Sequence, residues 1–183
     1  MKTLWKITGI GLISCCALVS ILHAEGRRQY TFKDLKYSFQ CPETWAVSKV
    51  DQGILKDVVT VTLPKNTRRR KFTATMVFVS SKLTDPSALL EDIYNLNLKN
   101  MASSPDFPDF KLMRSYNITL AGYDAYQATF KYRHPTLKVR LQSIQNYILA
   151  NGRLYILQYA APTTTYKKYM DQVNAAIESF RIL

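Results

Sequence analysis

Residues 153–161 read RLYILQYAA, a run that is apolar on both of its alternating sides. Tyr155, Leu157 and Tyr159 point one way; Leu154, Ile156 and Ala160 point the other. Successive side chains of a strand face opposite sides of the sheet, so this strand must be covered on both sides. That requirement excludes a sheet with one wet face and demands a layer above and a layer below. Asn151-Gly152, immediately before it, is the dipeptide that two-residue hairpin turns favour.

The remaining periodicities supply the layers. Strands are expected over Tyr30–Gln40, with aromatic Tyr30, Phe32, Tyr37 and Phe39 and a stop at Pro42, and in a short extended piece from Trp45. Others are expected over Val58–Leu63, Phe72–Val79, Tyr116–Leu120, Tyr123–Arg133 and Leu137–Leu149. Phe72, Ala74, Met76 and Phe78 share one face, as do Tyr126, Ala128, Phe130 and Tyr132. Asp85-Pro86 opens a helix that ends near Ser103, with Leu89, Leu90, Ile93, Leu96 and Leu98 as its apolar side. A final helix starts at Thr164 or Thr165 and carries the stripe Tyr166, Tyr169, Met170, Val173, Ala176, Ile177 and Phe180. Phe180 is expected to pin the C-terminus to the sheet. The fold class is α+β: an antiparallel sheet with helices on its two sides.

The chain opens with Lys2 and Lys6, an uncharged stretch from Ile7 to Leu22, and the small residue Ala24. This is the layout of a secretory signal peptide, and the apolar stretch is short of the roughly 20 residues that span a bilayer. Cleavage after Ala24 is the favoured reading, with residues 1–24 as signal and 25–183 as a single domain. Two alternatives stay open: a lipoprotein in which Cys15 of LISC is lipidated, and an uncleaved anchor. Each places the folded part outside the cytoplasm, in the periplasm, free or tethered to the membrane.

Export and composition together narrow the chemistry. The segment beyond Ala24 keeps 23 basic and 13 acidic residues, a net charge of +10. Such a surface attracts anionic lipid, acidic polysaccharide or an acidic protein face. Cys41 is left without an internal disulfide partner and reads as a buried thiol. His134 is left as the single histidine, in a turn before Pro135; a Ser-His-Asp or Cys-His hydrolase would have to use it. Ligands for a cysteine-histidine zinc site are lacking. Neither a GxxxxGK[ST] nor a GxGxxG phosphate loop occurs. No catalytic residue, cofactor or metal is expected.

Two basic features remain. NTRRRK at 66–71 contains Arg68, Arg69, Arg70 and Lys71 and reads as a hairpin tip between the strands 58–63 and 72–79. Export argues against nucleic acid as its partner. The hairpin of 123–133 and 137–149 supplies the second. Setting apolar against apolar pairs Tyr132 with Val139 and Phe130 with Leu141. The opposite face then sets Arg133 against Lys138 and Lys131 against Arg140. Like charges directly opposed cost tenths of a kcal/mol to about 1 kcal/mol per pair. Solvation of long side chains explains such pairs; so does an anionic partner.

The order of motifs resembles the PsbP-like superfamily, which includes the lumenal photosystem II extrinsic protein and bacterial DcrB-type envelope proteins. YSFQCPETW is similar to the family's aromatic strand followed by Pro-x-x-Trp. LAGYDAYQATFKY is similar to its glycine-turn hairpin, NGRLYILQYAAPTTTYKKY to its strand running into the last helix, and AAIESFRIL to its Ser-Phe ending. The resemblance implies an α-β-α sandwich with a central antiparallel sheet flanked by helices. It also implies a non-enzymatic role: docking on larger assemblies and stabilising or helping to build them. No metal- or partner-binding residue of the family maps onto this chain, and the N-terminus is too short for the plant protein's two-part targeting sequence. The leading expectation is an exported accessory protein that docks on an envelope or membrane-associated assembly, or an anionic lipid surface, through its basic face. The alternative is a periplasmic carrier of a small anionic or lipid ligand.

Overall fold

A computed structural model of the protein describes residues 26–50, 57–64 and 72–183. In chain order the strands are β1 (Arg27–Phe32), β2 (Tyr37–Pro42), β3 (Ala46–Val50), β4 (Val58–Thr62), β5 (Thr75–Lys82), β6 (Lys111–Leu120), β7 (Tyr123–Arg133), β8 (Arg140–Ala150), β9 (Arg153–Pro162) and β10 (Arg181–Ile182). The helices are α1 (Leu90–Ser103) and α2 (Met170–Glu178), the latter entered through a 3-10 turn at Tyr166–Tyr169. The doubly apolar run is β9, fourth of seven in the antiparallel sheet β3-β4-β5-β9-β8-β7-β6. A second antiparallel sheet, β1-β2-β10, pairs both ends of the described chain onto β2.

The layers cover the large sheet diagonally. On one face, β2 and α2 close a core with Val59, Val61, Met76, Phe78, Tyr155, Leu157 and Tyr159 of β4, β5 and β9. Its centre is aromatic: Phe39 and Phe78 stack 4.1 Å apart, 9° from parallel. Phe180 lies 5.3 Å from Tyr37 and 5.8 Å from Tyr155, centroid to centroid, so it does pin the C-terminus. On the other face, α1 sets Tyr94 and Met101 against Ala128, Phe130 and Tyr147 of β7 and β8. The result is the expected α-β-α sandwich, with a small sheet added to the α2 layer.

Several expectations are corrected. The aromatic run 30–40 is a hairpin, not one strand: it turns at Lys33–Lys36, with Lys36 at φ 62. Pairing of Tyr30 with Phe39 and Phe32 with Tyr37 keeps all four rings on one side, and the switch from even positions 30 and 32 to odd positions 37 and 39 is the mark the turn leaves in the sequence. The strand expected at 72–79 begins at Thr75 and runs to Lys82. The strand expected at 116–120 begins earlier, at Lys111. Helix α1 starts at Leu90. The Asp85 carboxylate instead accepts Ser87 N–H at 2.8 Å and Ser87 Oγ–H at 2.7 Å, closing a turn ahead of the helix. Leu89 and Leu96 are 64% and 58% exposed, so they lie on the outer side of α1.

The hairpin register is corrected by two residues. Tyr132 faces Leu141, Phe130 faces Ser143, Lys131 faces Gln142 and Arg133 faces Arg140. The cause is the connection 134–139. The His134 ring accepts the N–H groups of Thr136 and Leu137 at Nδ1, 3.3 and 3.2 Å away, and His134 N–H donates to Val139 O at 2.8 Å. Lys138 takes φ 57. Residues assigned to the second strand are thus consumed in the turn. A slip of two preserves the faces, so the apolar side still meets the apolar side.

Candidate basic docking site

One end of the large sheet gathers positive charge. At that end β7 finishes, β8 and β6 begin, and β9 runs into the 3-10 turn. The ladder sets Lys111 beside Lys131 and Arg133 beside Arg140, all on the face away from α1. Their side chains, with Asp109, Tyr132 and Thr163, line an open groove of about 450 Å³. An adjoining groove of about 380 Å³ shares Thr163 and adds Lys167 and Lys168.

The loop before β6 fixes the groove wall. Arg133 N–H donates to Pro108 O at 2.7 Å, and Asp109 is held at φ 59. Arg133 Nε lies 2.9 Å from Asp109 Oδ2, but the angle makes no directional hydrogen bond; the contact is one of charge. Among the described residues Asp109 is the only carboxylate lining the groove, against Lys111, Lys131, Arg133 and Arg140. Burial pushes the Tyr132 hydroxyl up to about 12, so it is a neutral hydrogen-bond donor at physiological pH. Cations so arranged attract and orient an anion; they bring no nucleophile or base.

Of the residues singled out from sequence, Lys131, Arg133 and Arg140 come together, though not in the pairs expected. Lys138 is exposed in the turn and does not line the groove. Arg68, Arg69, Arg70, Lys71 and Cys15 lie outside the described residues, as does the signal segment 1–24. Thr62 and Thr75 pair with each other and lie in the row of Ala160 and Ser143, at the groove end. Phe72 packs edge-on against the His134 ring at 5.7 Å. Sequence reasoning missed Lys111 and Asp109. Lys111 was discoverable as the charged start of β6, had that strand been extended from Tyr116 back past Arg114.

The other candidates are structural. Cys41 is 1% exposed, and burial raises its thiol to about 11. His134 Nδ1 is occupied by its own turn. Among the described residues no cluster of His, Cys, Asp and Glu could hold a metal ion, and no helix is long and apolar enough to cross a membrane.

An antiparallel sheet covered on both faces, with a charged groove at its end, defines a protein of the α-β-α sandwich class. The chain belongs to the PsbP family, whose model matches residues 25–182. It is similar to the solution structure of the cyanobacterial PsbP, CyanoP, of Synechocystis, with a TM-score of 0.65 at 15% identity over 94% of this chain and 100% of that one. It is also similar to LpqN of Mycobacterium tuberculosis, a protein involved in cell envelope biogenesis (TM-score 0.53, 16% identity, 87% of each chain). A third likeness is to the Ran-binding protein Mog1p of Saccharomyces cerevisiae (TM-score 0.59, 6% identity, 87% of this chain and 96% of that one). No curated protein matches the sequence.

Proposed function

We propose that the protein is an exported, non-enzymatic accessory protein that docks on an envelope or membrane-associated assembly, with the basic groove meeting acidic groups of its partner. The observation that carries this reading is the convergence of Lys111, Lys131, Arg133 and Arg140 on one groove whose described lining holds a single carboxylate. Family membership supports the accessory role, and the envelope and protein-binding roles of LpqN and Mog1p lend it weight. Charge reversal by Lys131→Glu with Arg140→Glu is expected to abolish co-purification with the membrane fraction while the circular dichroism spectrum stays unchanged. Full retention of binding by that variant removes the groove from the reading. Export is tested separately by the mass of the mature N-terminus, which distinguishes a start at Glu25, a lipidated Cys15 and an intact chain.

One observation favours a second reading. The groove volume, about 450 Å³, falls within the roughly 300–1,000 Å³ of small-molecule sites, which suits a carrier of a small anionic or lipid ligand. A stoichiometric bound molecule in the native mass spectrum selects the carrier; a bare polypeptide mass selects docking.

A further inference from the structure

The diagonal covering of the sheet leaves half of the α1 side open. Helix α1 packs on β7 and β8, and the neighbouring half, formed by β3, β4, β5 and β9, has no described element across it. Its floor is the row set Val58, Thr60 and Thr62 of β4 beside Val79, Val77 and Thr75 of β5, all partly exposed. No charged side chain stands on that side of any of these strands. The chain carries 25 basic and 13 acidic residues, and a face free of them can be covered by another surface without stranding a buried charge.

Beside this open half stands a ridge. Glu91 of α1 lies against Tyr126 of β7, so the Glu91 flank of the helix is turned toward the β6 edge. Leu89, Ile93 and Leu96 come round on the opposite flank at helical spacing, facing outward and toward β9. Leu89 and Leu96 are the two most exposed large apolar side chains among the described residues. An uncharged strip of sheet and an apolar helix ridge therefore lie side by side on the same face.

We infer that the protein forms a two-fold dimer in which α1 of each copy fills the open half of the other's sheet. A two-fold axis parallel to the strands, between ridge and strip, carries each ridge over the other strip, the self-complementary pattern of an isologous interface. The two α1 helices then share a single layer between the sheets. That layer is about 10 Å thick, the diameter of a helix with its side chains, so each α1 touches its own sheet with Tyr94 and Met101 and the opposite sheet with Leu89 and Leu96. The axis keeps strand direction, so both basic grooves sit at the same end of the dimer. They lie on the faces away from α1 and stay open. The dimer is independent of docking through the groove.

Electrostatics separates the two. Copies of a strongly basic chain repel, and salt screens that repulsion; added salt strengthens the dimer but weakens attraction to an acidic partner. Sedimentation velocity across a protein concentration series, at low and at high salt, is the test. A monomer–dimer equilibrium that shifts toward dimer with salt is expected. Leu96→Asp on the ridge and, separately, Thr60→Lys on the floor are each expected to weaken it by about tenfold or more, with the folded circular dichroism spectrum retained. The double substitution Lys131→Glu with Arg140→Glu is expected to dimerise undiminished. Monomer at every concentration and salt, or a dimer that both Leu96→Asp and Thr60→Lys leave intact, overturns the inference.

Discussion

At the scale of single residues, burial fixes how the protein responds to alkali. The Cys41 thiol is raised to about 11 and the hydroxyls of Tyr132 and Tyr166 to about 12, in each case chiefly by desolvation of the charged form. Burial raises Tyr147 and Tyr159 as well. All are acids whose neutral form the fold prefers, so above about pH 9 the unfolded chain releases protons that the folded chain retains. Stability is complete below that pH and falls progressively toward pH 12. Urea midpoints measured at rising pH are expected to decline over this window, and midpoints that stay level would contradict the burial of these groups. In the native protein at neutral pH, Cys41 is expected to resist iodoacetamide and to react fully once unfolded. Phe39, stacked on Phe78 and 1% exposed, should cost about 3–5 kcal/mol when replaced by alanine, read from urea unfolding.

At the scale of elements, local turn chemistry decided what could be read in advance. Asn151-Gly152 announced its hairpin, and the turn is formed with Asn151 at φ 51 and Gly152 at φ 69. A Cβ at Gly152 would meet no atom within 4 Å, so Gly152→Ala is expected to cost only the left-handed backbone penalty, about 1 kcal/mol. The check is a thermal melt beside that of the parent protein. The stripe of the last helix and both apolar faces of β9 were equally legible, because a period of two or of 3.6 residues survives without tertiary information. The His134 turn was not. Its length depends on a ring nitrogen accepting two backbone N–H groups, and no hydrophobic pattern records that. The turn at Lys33–Lys36 was hidden because Leu35, 2% exposed, supplies an apolar residue where a solvated tip was expected. In α1 the periodic leucines misled. The helix buries Tyr94, whose hydroxyl shares a hydrogen bond with Ser115 Oγ at 2.7 Å, and turns Leu89 and Leu96 outward.

At the scale of the whole molecule, charge is segregated: the groove end is basic, and the open half of the sheet beside α1 is neutral. The basic groove was half legible. The sequence identified Lys131, Arg133 and Arg140 but not Lys111, which arrives from the edge strand and becomes a neighbour only through the β6–β7 ladder. Docking through this end is expected to weaken as salt shortens the screening length from about 10 Å at 0.1 M to about 3 Å at 1 M. Co-sedimentation with membranes across a salt series measures it, and indifference to salt would contradict a charge-driven contact.

The small sheet β1-β2-β10 carries a temporal consequence. Arg181 and Ile182 pair with Ser38 and Tyr37, and Phe180 plugs the ring cluster of Tyr37, Phe78 and Tyr155. Under the proposed export, a polypeptide threaded N-terminus first across a membrane would hold an unfinished interior until Phe180 had cleared the pore. A chain cut after Ser179 is expected to remain protease-sensitive throughout, whereas the full chain becomes resistant only on release.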